Sequence, residues 1–236
     1  MEYEAFLDLA RKRRSIRRFK PDPIPDDYIE KIIEAARWAM SGANAQPWEF
    51  IVIKEKETRR KIAKVRAEYL KMEWIVEQTR SQEVRQPHFR TDHPTQNEWE
   101  DAPVIIATLG DIRTIQASCL VFRFFEHHTF DQNMANANHM IHLAAASLGL
   151  GATWVSLTQP MSEELKVILG VPPVLRVFTL APIGYPAHEP SPPYRRKRSE
   201  IVHHEKYDMG KFREQADIQE FIRHLRQRHE KARSYA

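Results

Sequence analysis

The chain has one cysteine, Cys119, in 236 residues. A single thiol excludes an intrachain disulfide and any zinc or iron–sulfur site built on several cysteines, so a reducing cytoplasm is the expected setting. GxSxG, Walker A, GxGxxG and HExxH patterns are also missing, which sets aside the common hydrolase, phosphoryl-transfer, dinucleotide-fold and zinc-protease readings. The GLG at 149–151 is too short to argue for a dinucleotide site and better serves as a helix end. The N-terminal segment carries acids and no apolar h-region, so no secretory signal is expected. Asp, Glu, Lys and Arg are all missing from Asn133 to Ser162, a length to compare with the roughly 20 apolar residues that cross a bilayer. His139, His142, Gly149, Gly151, Thr153 and Ser156 interrupt the stretch, and its periodicity changes partway. A buried helix running into a buried strand is therefore expected, with no membrane partner.

What is present fits one large domain spanning 1–236, since 42% hydrophobic content can bury a substantial core. The net charge of +4 suits anionic ligands without demanding nucleic acid.

Tyr3, Phe6, Leu7 and Ala10 lie at helical spacing, which places a basic run at the end of a first helix and the turn after it. Pro21, Pro23 and Pro25 stiffen the link to a second helix, whose stripe is Ile29, Ile32, Ile33 and Ala36 and which should stop near Met40 to Gly42. Residues 50–53 and 103–109 read as buried strands. Between them a charged helix carries Ile62, Val65, Tyr69 and Met72, and 79–100 has no period. That stretch reads as a lid, with His88, Phe89, His93 and Trp99 able to close over a ligand, or equally as a plain surface loop. Helices are expected at 112–127, with Cys119 on a buried face, and at 131–149. A strand at 153–157, a helix at 162–169 closed by Gly170, and a strand at 175–183 follow. After a proline-rich stretch and the basic run 195–198, a last amphipathic helix carries Ile218, Phe221, Ile222 and Leu225. Interleaved helices and strands give an α+β or α/β sandwich. The extended C-terminal arm, lacking a core of its own, suits packing on a partner subunit.

Two segments carry chemistry. RRSIRRF at 13–19 sets Arg13, Arg14 and Arg17 around Ser15, forked donors that suit phosphate oxygens or an electron-rich heterocycle. SGANAQPW at 41–48 follows a helix with small residues and amides, which let backbone approach a flat ligand and pair with ring edges. Taken singly, the first is an ordinary solvated or nucleic-acid patch and the second a helix-stopping loop. Their succession within one supersecondary unit is what points to a ligand. The 195–198 cluster can converge on the same phosphate or remain a solvated run. His139 and His142 are spaced i, i+3 without acidic or cysteine neighbours, so core or interface histidines are expected rather than metal ligands.

RRSIRRF (13–19), IPDDYIEKIIEAARWAMSGANAQPWEFIVI (24–53), LAAASLGLGATWVSL (143–157), SEELKVILGVP (162–172) and APIGYPAHEP with the following basic run (181–198) resemble the FMN-dependent nitroreductase family in the family's order. The resemblance implies an α+β sandwich with a central mixed sheet flanked by helices. It implies a homodimer with two FMN sites at the subunit interface. Carried over by motif position, Arg13, Arg14, Ser15 and Arg17 would hold the flavin phosphate, ribityl chain and pyrimidine edge. Ser41, Gly42, Ala43, Asn44 and Gln46 would line the ring from the partner subunit. Ser156, Leu157 and Thr158, in a segment starting at Trp154, would pass the reactive edge, and Arg195 or Arg196 would reach the phosphate. Met40 departs from the family, which often has proline there. The implied activity is ping-pong transfer from NADH or NADPH through flavin N5 to a nitroaromatic, quinone or other conjugated small molecule, with substrate chosen in the divergent 66–130 region. The SGAN, WVSLTQP and APIGYP segments are also similar to iodotyrosine deiodinases, whose lid uses a Glu, Tyr and Lys set. Glu68, Tyr69 and Glu73 do not reproduce that spacing. A dehalogenase, or a flavin-binding protein without turnover, are the alternatives.

Overall fold

In the computed structural model, residues 2–86, 101–124, 126–190 and 192–233 are described. The chain divides into two compact units, Met1–Ala67 with Gln96–Glu189, and Glu68–Thr95 with Pro190–Ala236. The candidate lid residues His88, Phe89, His93 and Trp99 lie outside the described residues.

The first unit is built on five strands: β1 (Trp48–Ile53), β2 (Val104–Gly110), β3 (Gly151–Ala152), β4 (Val155–Ser156) and β5 (Arg176–Gly184). The order is β1-β2-β5-β3, with β4 also on β5, and all of these pairs are antiparallel. Among the described residues the parallel component is a single bridge between Ser15 and Ala152. Alternation along β2 divides its side chains between two cores. Ile105, Ala107 and Leu109 join Val177 and Leu180 under α6 (Gln159–Leu169) and the first turns of α3 (Lys56–Gln78), where Leu165 and Ile62 meet them. Val104 and Ile106 join Ala181 and Ile183 under α2 (Asp26–Arg37) and α5 (Glu126–Ser147), through Ile29, Ile32, Ile141 and Ala145. Helices thus cover both faces, and the expected α+β sandwich is what forms.

Four boundaries differ from expectation. The helix expected over 112–127 is broken: α4 (Ile112–Ser118) ends, Cys119 is extended and half-buried, and a 3-10 turn covers Leu120–Phe124. Among the described side chains of that pattern Ile115 alone is buried, while Leu120 and Phe124 are 72% and 87% exposed, which gives the later turns little to hold them as one helix. The next helix, α5, starts at Glu126 rather than 131. The single strand expected at 153–157 is split into β3 and β4. Their shared register puts Thr153 opposite Pro182, which accepts from the Thr153 N–H at 3.3 Å but has no N–H to return. Finally, α2 stops at Arg37, three residues early.

In the first unit, α1 (Tyr3–Lys12) buries none of its residues, and Tyr3 and Phe6 are exposed. The second unit contains the later turns of α3, α7 (Arg198–Ile201) and α8 (Gln215–Arg233). Within it Tyr194 packs on Phe221 at 6.0 Å and Arg213 lies over the same ring. No described helix is long and apolar enough to cross a membrane.

Candidate functional site

The arginine run leaves α1 at Arg13, whose N–H still donates to Leu9 O, and then turns extended. It is strapped along the sheet: Ile16 N–H donates to Ala152 O, Lys20 N–H to Tyr185 O, and Ala187 N–H to Arg18 O. Ile16 and Phe19 are buried and anchor the strap, which leaves Ser15 and Arg17 exposed and Arg13 and Arg14 half-buried. Gly151 is required beneath it, because a Cβ there would come within 2.4 Å of Ile16 Cγ1. Arg14 Nη1 donates to Arg13 O, but its Nε is buried with no acceptor among the described residues.

The turn after α2 is the most strained backbone described. Ala43, Asn44 and Gln46 have φ of 50°, 52° and 46°, a left-handed region that costs an L-residue about 1–2 kcal/mol. Such outliers persist where surrounding structure over-determines them, and they cluster at ligand sites. Here Ser41 Oγ accepts from Gln46 N–H, and Gln46 Nε2 donates to Asn44 O. From outside the turn, α5 clamps it twice: Gly42 N–H donates to Asn133 Oδ1 at 3.1 Å, and Asn136 Nδ2 donates to Met40 O at 3.2 Å. Sequence reasoning missed both asparagines. Their signal was weak, since a mid-helix Asn belongs to no motif.

The third segment runs from Trp154. Ser156 is exposed at the end of β4, Leu157 is half-buried, and Thr158 caps α6, its Oγ1 accepting from Met161 N–H. Trp154 stacks on His142 with centroids 6.1 Å apart and meets Phe178 edge-on. His142 is the core histidine expected, while His139 is exposed. No metal-binding group of three or more His, Cys, Asp or Glu exists among the described residues.

Burial first, and then the charge of Arg13 with a contribution from His139, lowers the His142 pKa from 6.5 to about 4. The unfolded chain therefore binds a proton that the folded chain refuses between those two values. Stability from this group is complete above pH 6.5 and falls as pH drops toward 4, by up to about 1.4 kcal/mol per pH unit. His142→Phe keeps the ring stack and removes the titration. Its stability relative to wild type is expected to improve by on the order of 1–2 kcal/mol between pH 7.5 and pH 5 in urea melts. An unchanged difference at the two pH values would discard this role.

Helix α5 thus touches two of the segments on different sides. Asn133 meets the 41–46 turn, and His142, nine residues later, meets Trp154 and faces Arg13. At 100° and 1.5 Å per residue those contacts lie about 180° apart and about 13 Å along the axis. The segment that starts at Trp154 and the turn are brought to opposite flanks of one helix, with the charge of Arg13 felt at His142. The remaining candidates belong to the second unit, where Arg195 Nη1 donates to Tyr194 O and Arg196 Nη2 to Glu200 O, with Arg196 also facing the Glu200 carboxylate at 3.5 Å.

A model of the Nitroreductase family matches residues 10–185. A protein of Methanothermobacter thermautotrophicus, named provisionally as an NADH dehydrogenase/NAD(P)H nitroreductase, is 29% identical over 186 residues, 78% of each chain. The iodotyrosine deiodinase of Thermotoga neapolitana is 28% identical over 195 residues, 83% of this chain and 94% of its own. An FMN-dependent nitroreductase of Clostridium difficile R20291 has a similar fold, with a TM-score of 0.60 at 23% identity over 85% of this chain and 99% of that one.

Proposed function

The chain belongs to the nitroreductase family, and on that premise we propose that it is an FMN-dependent oxidoreductase carrying reducing equivalents from NADH or NADPH to an electron-poor small molecule. The observation that carries this is Arg14, a half-buried guanidinium whose Nε has no acceptor among the described residues. A forked donor left unanswered fits a phosphate oxygen. Arg13, Ser15 and Arg17 stand beside it on the same strap. The left-handed turn 41–46 presents backbone and amides to a flat ring, and Ser156, Leu157 and Thr158 border its reactive edge. FMN, when bound, supplies the hydride chemistry. The chain's part is to hold the phosphate, fix the ring plane and place donors where negative charge develops, so no acid or base is assigned. Arg195 and Arg196 are proposed as further phosphate ligands, Arg196 on exchange from Glu200.

Two copies of the chain share each site in this reading. The opposed flanks of α5 support it, because the helix itself stands between the two within one chain. Large apolar side chains near both segments are bare, with Tyr3 and Phe6 beside the first and Trp38 and Met40, 73% and 79% exposed, beside the second.

Purified protein should be yellow with a flavin spectrum; colourless protein that cannot be reconstituted with FMN would overturn the proposal. Arg14→Ala is expected to weaken FMN binding about tenfold or more, given about 1.5–3 kcal/mol per charged hydrogen bond. Lys12, exposed and paired with Asp8 at 2.7 Å, is the control. Equal losses at both positions would indicate a generic basic surface. Similarity to the Thermotoga deiodinase favours reductive dehalogenation as the second reading. Anaerobic mixing with NADH or NADPH, then a panel of nitro, quinone, enone and halophenol acceptors, separates the two, and a flavin that never bleaches indicates a protein without turnover.

A further inference from the structure

The turn 41–46 holds three left-handed residues without a glycine at any of them, so something outside it must keep it in place. Short-range bonds are not enough. Ser41 Oγ to Gln46 N–H and Gln46 Nε2 to Asn44 O close the turn on itself, but leave it able to swing as a body. Two side chains of α5, Asn133 and Asn136, hydrogen-bond it to the core, beside the apolar packing of Ala45 on the cluster of Ile115, Phe130 and Met134.

The two asparagines sit three residues apart, on one flank of α5. Asn133 is 3% exposed, flanked by the fully buried Met134, and its orientation is settled by the Gly42 N–H that its Oδ1 accepts. The same orientation leaves Asn133 Nδ2 buried without a partner among the described residues. An unmet buried donor costs about 1–3 kcal/mol, which a serine or an alanine at this position would avoid. What the amide uniquely supplies is an acceptor at a fixed distance from the helix axis, reaching the one backbone N–H at the head of the turn.

We propose that Asn133 and Asn136 are positioning residues for the bound flavin: from α5 they set the height and tilt of the 41–46 turn, and through it the plane of the ring. This rests on the flavin reading above. Neither side chain touches the cofactor in this account. On its other flank the same helix stacks His142 on Trp154, so each α5 positions the turn of one site while lying against the 154–158 segment.

The test is FMN titration of the full-length protein with three variants, reading affinity and the absorption envelope of the bound ring. Asn133→Leu removes the acceptor on a side chain of the same branching and is expected to lower FMN affinity about tenfold and to shift the ring's absorption bands toward those of free FMN. Asn133→Asp keeps an oxygen where Oδ1 stands and should restore both to within about twofold of wild type. Asn136→Ala, on the half-exposed side, should cost about threefold with a smaller band shift. Wild-type affinity and spectrum in a folded Asn133→Leu protein overturn the proposal. So does Asn133→Asp failing as badly as Asn133→Leu. Should Asn133→Leu not fold, Asn136→Ala decides, and wild-type behaviour there overturns it. A wild-type protein that takes up no FMN overturns the flavin reading itself and this proposal with it, whereas wild-type binding with unaffected variants removes this proposal alone.

Discussion

Chains carrying Arg14→Ala with Arg17→Ala, mixed and reassembled with chains carrying Ala43→Val, are expected to recover FMN sites that neither variant forms alone. Ala43 stands at φ 50°, where a β-branched residue is a genuine outlier, so valine should displace the turn. In a mixed dimer one site collects both lesions and the other collects neither. Random assembly of equal amounts then leaves about one quarter of all sites intact. Retention of FMN through gel filtration counts them. If each site were built within one chain, every chain in the mixture would carry a lesion and recovery would be nil. The prediction stems from the two flanks of α5, and nil recovery would return the 41–46 turn and the arginine run to a single protomer.

The second large effect is expected at Gly151. Its absent Cβ is replaced in space by Ile16, whose Cγ1, Cβ and Cγ2 would lie 2.4, 2.6 and 2.8 Å from a methyl there. Ile16 is 4% exposed and fastened to Ala152 O through its own N–H. A branched carbon attached that close to the backbone has no rotamer into which to retreat. Gly151→Ala should therefore cost about 1–3 kcal/mol, as overpacking does, and lift the arginine strap from the sheet edge. FMN affinity should fall by more than tenfold while the protein still melts cooperatively. Gly149→Ala is the control: it has φ +75° but nothing within 4 Å, so it should lose about 1 kcal/mol and leave FMN affinity unchanged. Ile16→Ala in the Gly151→Ala background should recover part of both losses. Unchanged affinity in Gly151→Ala would mean that the strap does not place the arginines.

Much of this was readable from residue order. Periodicity located α2, α5 and the buried strands because each presents a full apolar stripe to a core. Where the stripe failed to find a core, the reading failed: Leu120 and Phe124 look helical beside Ile115 but face outward. The break between β3 and β4 depends on Pro182, some thirty residues away, which no local window around Thr153 contains. The arginine run and the SGAN turn were legible because unusual residue types stand close together. The opposition of that turn and the segment from Trp154 across α5 was not, since it is a matter of helix phase relative to partners distant in sequence. Asn133, Asn136 and the His142–Trp154 stack were hidden for the same reason. The run 195–198 could be seen as basic, but not that Arg196 already answers Glu200.

The absence of glycine at the three left-handed positions also bears on how fast and how tightly a ligand is taken up. Glycine would relieve the steric cost but leave the empty turn free to wander, and each binding event would have to freeze it again. Alanine, asparagine and glutamine shift that expense into folding, where it is met once. An incoming ring then meets a surface already set, and association should be a single-exponential process without a slow reorganising phase.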